Sequence, residues 1–258
     1  MSVLEINDVE IGEKGIAVYQ WPHPSPRYLL LILHGHNEHM GLYEGVAKSL
    51  HAHGAFVFGP DHLGHGLSHG ERLVIEDFDE VVNDVQITVA TIRILYPTLP
   101  LIIIGHSMGG MIATRYVQLN KTGNCGLILS APLLGDRTRI TNLAIKQPRK
   151  MLFTTSVNSI ESKIGDSIGP FKCLTLAAMD RTRRLIHSGP GFENLPVLWL
   201  YGSEDTIVLA KETQTTLDRL RGSCFVTEPI PGAQHNVFSE NYLAVTLSKV
   251  ISFIDSVL

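Results

Sequence analysis

Residues 101–112 read LIIIGHSMGGMI, and a helix-compatible run, ATRYVQLN, follows from position 113. Four large apolar residues, Leu101 to Ile104, without polar alternation form the pattern of a strand buried on both faces. Gly105-His106-Ser107-Met108-Gly109-Gly110 then leaves room for only a very tight turn before the helix. A serine at the apex of such a turn is forced into a strained backbone conformation, and its crowded neighbours must lack a Cβ atom. The turn lifts the hydroxyl out of the sheet, while the helix behind it supplies amide donors and the positive end of a dipole. As a bare pattern, G-x-S-x-G would arise by chance in roughly one chain in ten of this length, from average Gly and Ser usage. Placed directly between a strand and a helix, it marks Ser107 as a nucleophile.

Outward from this turn, strand-like runs recur at 16–21, 28–33, 55–58, 127–129, 197–201 and 225–230. Helical periodicity lies between most of them. Phe78, Val81, Val82, Val85, Val89 and Ile92 fall on one face of an amphipathic helix, and Leu243, Leu247, Val250, Ile251 and Ile254 repeat the spacing near the C-terminus. Almost continuously apolar strands alternating with helices predict an α/β fold with a mostly parallel central sheet covered by helices on both faces. The alternation breaks between about 131 and 190, where the sequence turns helical and irregular with no strand pattern. The expected organisation is a core domain of residues 1–130 and 191–258, with residues 131–190 inserted as a helical cap above the carboxyl ends of the strands. Such sheets place their active sites at those ends.

Composition narrows the function classes. The chain has 258 residues, 44% apolar and 18% charged, which fits one sizeable domain with an insertion. A net charge of −4 gives no general affinity for nucleic acid. Cys125, Cys173 and Cys224 are odd in number, far apart and in no metal spacing, so they read as thiols in a reducing compartment. The opening MSVLEINDVE has neither a basic n-region nor an apolar h-region, and no run reaches transmembrane length. A cytoplasmic protein is expected.

A serine hydroxyl is too weakly acidic to attack at neutral pH without a base beside it. That base should be a histidine, oriented by a carboxylate that also stabilises the imidazolium. The run 197–201 opens into Gly202-Ser203-Glu204-Asp205, and the run 225–230 opens into Pro231-Gly232-Ala233-Gln234-His235. Ser107, Asp205 and His235 therefore each follow a strand, in the order Ser…Asp…His. Glu204 is the rival acid. Standing alone, Asp205 would be an ordinary loop carboxylate, and His235 one of twelve histidines; at three matching strand ends they read as a catalytic set. Two backbone N–H groups must also face the developing oxyanion. Met108, directly after the nucleophile, should supply one, and His36, in the bend His34-Gly35-His36-Asn37 after the run 28–33, the other.

With these motifs in place, the chain resembles the α/β-hydrolases over nearly its whole length, and within them the monoacylglycerol lipases. Gly105 to Gly110 resembles that group's elbow. His34-Gly35-His36-Asn37-Glu38-His39 is similar to its His-Gly-x-Gly-Glu-His oxyanion loop, and Asp61 to Arg72, DHLGHGLSHGER, to its Asp-His-x-Gly-His-Gly-x-Ser-x-Gly-Glu-Arg. The resemblance implies a serine ester hydrolase needing neither metal nor organic cofactor, with a lipid ester as substrate. It also implies that Glu38 contacts the polar head of that substrate; the alternative role for Glu38 is to hold the oxyanion loop through backbone N–H groups. Two residues depart from the pattern. Asn37 stands where the family usually has glycine, and Leu42 where it commonly has arginine.

Residues 34–39 also fit H-x-H-x-E-H, a spacing able to bind zinc, but a zinc hydrolase would leave the serine elbow and the later Asp and His without a purpose. A pure ligand-binding protein on this fold would likewise have no need of an intact triad. His62, His65 and His69 read as loop residues packed beside the site. Residues 131–190 hold ten Lys/Arg against four Asp/Glu, whereas the rest of the chain holds eleven against twenty-one. One reading is a solvated cap whose apolar face packs on the sheet domain; the other is a lid that lines an acyl pocket and makes transient contact with an anionic membrane surface. The favoured expectation is a monoacylglycerol hydrolase, with a broader carboxylesterase or lysophospholipase as the alternative.

Overall fold

Leu29 to Leu33 and Leu101 to Ile104 are buried on both faces, and burying each such side chain contributes roughly 1.5–3 kcal/mol. A computed structural model of the protein describes residues 8–12, 14–135, 156–157, 160–161, 167–168 and 171–258. Its strands are β1 (Asp8–Ile11), β2 (Ala17–Trp21), β3 (Tyr28–Leu33), β4 (Ala55–Pro60), β5 (Leu101–His106), β6 (Asn124–Ser130), β7 (Val197–Gly202) and β8 (Phe225–Ile230). They form one sheet in the order β1-β2-β4-β3-β5-β6-β7-β8. Pairing is antiparallel for β1 with β2 and β2 with β4, and parallel from β4 through β8. This is the α/β architecture expected, a mostly parallel sheet flanked by helices.

Among the described residues the α-helices are α1 (Glu44–Ala52), α2 (Phe78–Leu95), α3 (Met108–Leu119), α4 (Cys173–Ser188), α5 (Ala210–Leu220) and α6 (Leu243–Val257). Because strand side chains alternate faces, each strand feeds two cores. Leu29, Leu31, Ile103 and Leu129 pack with α2, α3, α4 and α5. Leu30, Ile32, Ile104 and Ile128 pack with α1 and α6 on the other face. The face predicted for 78–92 is the buried face of α2, and Leu247, Val250 and Ile254 are buried in α6.

Two features differ from the sequence expectation. β1 was not anticipated: its four residues, DVEI, are too few to establish a period, and the strand exists by pairing with β2. The segment expected to lack strands carries two short antiparallel pairs, Ser156–Val157 with Phe171–Lys172 and Ile160–Glu161 with Ser167–Ile168. Two-residue ladders leave no detectable alternation. Much of 131–190, including Arg139, Ile140, Leu143, Lys146, Arg149 and Lys150, lies outside the described residues. The helical part that is described, α4, turns Leu176, Met179 and Ile186 into the same core as α2 and α3. Thr175 ties it to the loop before α2, donating to the Leu73 carbonyl at 2.8 Å and accepting from the Ile75 amide at 2.9 Å. No helix among the described residues is long and apolar enough to cross a membrane.

Candidate active site

Parallel register aligns the ends of the central strands. Leu33 pairs with Gly105, Gly105 with Leu129, and Gly202 with Ile230. The residues just past these ends therefore meet above one edge of the sheet.

Ser107 is the first of them. Its φ of 52° and ψ of −115° place a non-glycine residue in a strained region, at a cost of order 1–3 kcal/mol. The surroundings hold it there: its amide donates to the Ser130 carbonyl at 2.9 Å, and its carbonyl accepts from the Gly110, Met111 and Leu133 amides at 3.0–3.2 Å. The glycines are required by contact. A Cβ on Gly105 would lie 2.5 Å from the Gly109 carbonyl oxygen, and one on Gly109 would lie 2.0 Å from that of Leu33. Substitution at either would push α3 off the sheet.

His235 follows β8 and Asp205 follows β7. The Ser107 hydroxyl donates to His235 Nε2 at 2.9 Å, and His235 Nδ1–H donates to Asp205 Oδ2 at 2.8 Å. The other carboxylate oxygen of Asp205, Oδ1, accepts from the Ile207 amide at 2.8 Å and the Val208 amide at 3.0 Å. All three residues are buried, at 4%, 3% and 8% exposure for Ser107, His235 and Asp205. Glu204, the rival acid, is exposed and contributes only a backbone bond to Ala233. The arrangement is a serine-hydrolase triad: a nucleophile, a base within hydrogen-bond reach, and a carboxylate fixing the base's tautomer.

Met108 opens α3, and the first amides of a helix have no intrahelical acceptor. Opposite it, the bend after β3 carries His36, buried and stacked on Phe171 with ring centroids 4.4 Å apart. Asn37 has a φ of 60°, which explains why glycine suits this position and why asparagine, the side chain most tolerant of left-handed backbone after glycine, replaces it. Glu38 Oε2 accepts from the Gly35 amide and from the Tyr43 hydroxyl, both at 2.7 Å. The role of holding the loop through a backbone N–H is thus realised.

The H-x-H-x-E-H spacing does not converge as a ligand set. His34 Nε2 accepts from the His62 amide at 3.0 Å, and its Nδ1–H donates to the Gly35 carbonyl at 2.8 Å, so neither nitrogen has a lone pair left for a cation. Among the described residues no group of three or more His, Cys, Asp or Glu is arranged to hold one. Burial keeps these imidazoles neutral: it pushes His34 well below the usual histidine range, aided by His62 and His65, and His62 down to about 3. His62 and His65 pack beside the site as expected, with ring centroids 4.2 Å and 5.5 Å from His34; His69, expected with them, is instead exposed, its amide donating to the Gly15 carbonyl at 2.9 Å.

Three residues carry weight that the sequence reading did not assign. His106 is buried in the elbow, with Nδ1 3.0 Å from Ser130 Oγ and its ring 4.9 Å from that of His235; burial foremost holds it near 4. Tyr43 braces Glu38. Asp61 accepts from the Met40 amide at 2.7 Å and the Leu67 amide at 2.8 Å, joining the segment after β3 to the loop after β4. A Cβ on Gly66 would sit 1.8 Å from its Oδ2. The signal for Asp61 was the D-x-x-x-x-G spacing in DHLGHG; for Tyr43 and His106 there was none beyond position.

Comparison with known proteins agrees with this geometry. The hydrolase family described as "Serine aminopeptidase, S33" matches residues 24–168. The chain is 30% identical over 253 residues to the monoglyceride lipase of Homo sapiens, covering 86% of this chain and 83% of that one. It is 27% identical over 265 residues to the monoacylglycerol lipase of Mycolicibacterium smegmatis, covering 95% of each. Among solved structures, a soluble variant of monoglyceride lipase from Saccharomyces cerevisiae, in complex with a substrate analog, superposes with a TM-score of 0.77 at 20% identity. That match covers 99% of this chain and 96% of that one.

Proposed function

The chain belongs to the α/β-hydrolases, in their monoacylglycerol-lipase-like family, and from that premise we propose that it cleaves monoacylglycerols to a fatty acid and glycerol. The observation that carries the reading is the connected Ser107–His235–Asp205 chain, joined to likeness along most of the length of proteins named for that substrate. In the proposed cycle, His235 Nε2 takes the proton as Ser107 Oγ attacks the ester carbonyl. The Met108 and His36 amides receive the oxyanion, and His235 returns the proton to the departing glycerol oxygen. Water then follows the same path, His235 again acting as base, and frees the fatty acid. Removing one donor from such an oxyanion hole costs roughly 10²–10³ in kcat.

Glu38 is proposed to receive the glycerol head through Oε1, since Oε2 is already occupied by Gly35 and Tyr43. One residue favours a broader carboxylesterase: Leu42, 62% exposed, stands where the family commonly has an arginine. The basic cap over residues 131–190 is proposed to bring the enzyme to anionic lipid. Hydrolysis rates on monoacylglycerols, short-chain esters and lysophospholipids test the reading. Faster turnover of monoacylglycerols supports it, and equal rates on short esters would replace it with the carboxylesterase.

A further inference from the structure

Glu38 is a carboxylate that spends an oxygen on the protein before any substrate arrives. Its Oε2 sits 2.7 Å from the Gly35 amide and 2.7 Å from the Tyr43 hydroxyl, distances typical of charge-assisted hydrogen bonds. The three groups span the whole turn from the end of β3 to the short 3-10 helix Met40–Tyr43. Tyr43 is buried, and its ring meets Phe238 at an angle of 61° with centroids 6.4 Å apart. Burial, then the charge of Glu38, raise its phenol well above the ordinary tyrosine range, so it stays protonated and a donor. Gly35 rests directly on this carboxylate: a Cβ there would lie 3.0 Å from Glu38 Oε2 and 3.2 Å from His106 Cδ2. His106 is itself anchored on Ser130. The peptide before His36 is therefore held by a braced carboxylate, with the elbow imidazole packed on the same face of Gly35.

We propose that Glu38 and Tyr43 are positioning residues that hold the oxyanion loop, so that the His36 amide is aimed at the developing oxyanion before the substrate binds. The inference rests on the assignment of His36 and Met108 as oxyanion donors. Its physical basis is that a donor fixed in advance need not reorganise during reaction, whereas one on a slack loop must. Such an effect falls on the transition state and spares ground-state binding.

The test uses Tyr43→Phe, Glu38→Gln and Glu38→Ala, each normalised to the number of serines titrated by a phosphonate so that misfolded molecules are not counted. The substrate is a p-nitrophenyl ester, which has no glycerol head, and an alkyl boronic acid serves as a tetrahedral analogue. Tyr43→Phe removes one charge-assisted hydrogen bond from this brace, so it should lower kcat about tenfold, with KM changed less than twofold. Boronate affinity should fall in parallel with kcat/KM. Glu38→Ala should lose more, and Glu38→Gln, which keeps an acceptor at the same reach, should recover part of that loss. Values of kcat and boronate affinity within twofold of wild type in Tyr43→Phe and Glu38→Ala would overturn the proposal. So would losses seen only with monoacylglycerols, which would confine Glu38 to the substrate head. A wild type that turns over the p-nitrophenyl ester and no monoacylglycerol would refute the substrate assignment while leaving this comparison intact.

Discussion

The function of Ser107 depends on a backbone that few residues would accept. With φ at 52° it is held by four backbone hydrogen bonds, and its hydroxyl already points at His235 Nε2. Ser107→Ala should abolish labelling by an organophosphonate and lower turnover by several orders of magnitude, because triad members act as a unit; mass spectrometry that finds the label elsewhere would reassign the nucleophile. Asp205→Asn should cost far more than Glu204→Gln. The first replaces a buried carboxylate that receives His235 Nδ1–H and two amides, and the second removes an exposed charge. Steady-state rates decide the matter, and a reversed order would make Glu204 the third member. Ser107 and Asp205 were legible in the sequence because each follows a continuous apolar run, and His235 because it completes the order Ser…Asp…His after the weaker run FVTEPI. Glu204 and Asp205 could not be separated there, since both follow the same strand and only burial tells them apart. Asn37 was legible as a departure from glycine, but its 60° φ was not.

At the level of elements, the loops after β3 and β4 and the elbow after β5 bury imidazoles. His34 and His62 are buried against each other, and His106 is buried in the elbow beside the His235 ring. Burial depresses all three, His62 to about 3 and His106 to about 4, with His34 also well below its ordinary 6.5. The folded protein therefore keeps them neutral at pH values where the unfolded chain protonates them. As pH falls below about 6.5, the unfolded state takes up protons that the native state refuses. Stability then declines by about 1.4 kcal/mol per pH unit for each such group, until the folded pKa is reached, about 4 for His106 and about 3 for His62. Above 6.5 these groups contribute no slope. Urea midpoints measured from pH 7.5 to 4.5 should be level at first and then fall steadily. A flat series would contradict three buried neutral imidazoles. The helices α2, after the loop that follows β4, and α6, at the C-terminus, were readable because they bury regular stripes. The paired two-residue strands between 156 and 172 were not, because their pairing depends on partners brought together by the fold and leaves no local pattern.

On the scale of the whole molecule, charge is unevenly distributed. Residues 131–190 carry ten Lys/Arg and four Asp/Glu, while the remainder carries eleven and twenty-one. Part of this excess is already engaged: Arg183 and Arg184 pair with Asp180, and Lys172 with Glu71. A surface-bound basic residue contributes roughly 1 kcal/mol near anionic lipid, fading within a Debye length. Reversing Arg139, Lys146, Arg149 and Lys150 to glutamate should weaken binding to anionic vesicles and cut activity on vesicle-borne substrate more than on a soluble short ester. Equal losses on both would assign those charges to folding of the cap alone. The division of labour across the chain has a further result. Ser107 and His235 lie 128 positions apart, and they meet only after β5, β6, β7 and β8 have paired in register. Such distant pairing is assembled late and slowly, because chain entropy is lost before the contact can repay it. A partly folded or misassembled molecule thus carries a serine with no base, and is chemically silent. Reactivity is withheld until the topology is complete, so the enzyme cannot act indiscriminately on lipids while it is still folding.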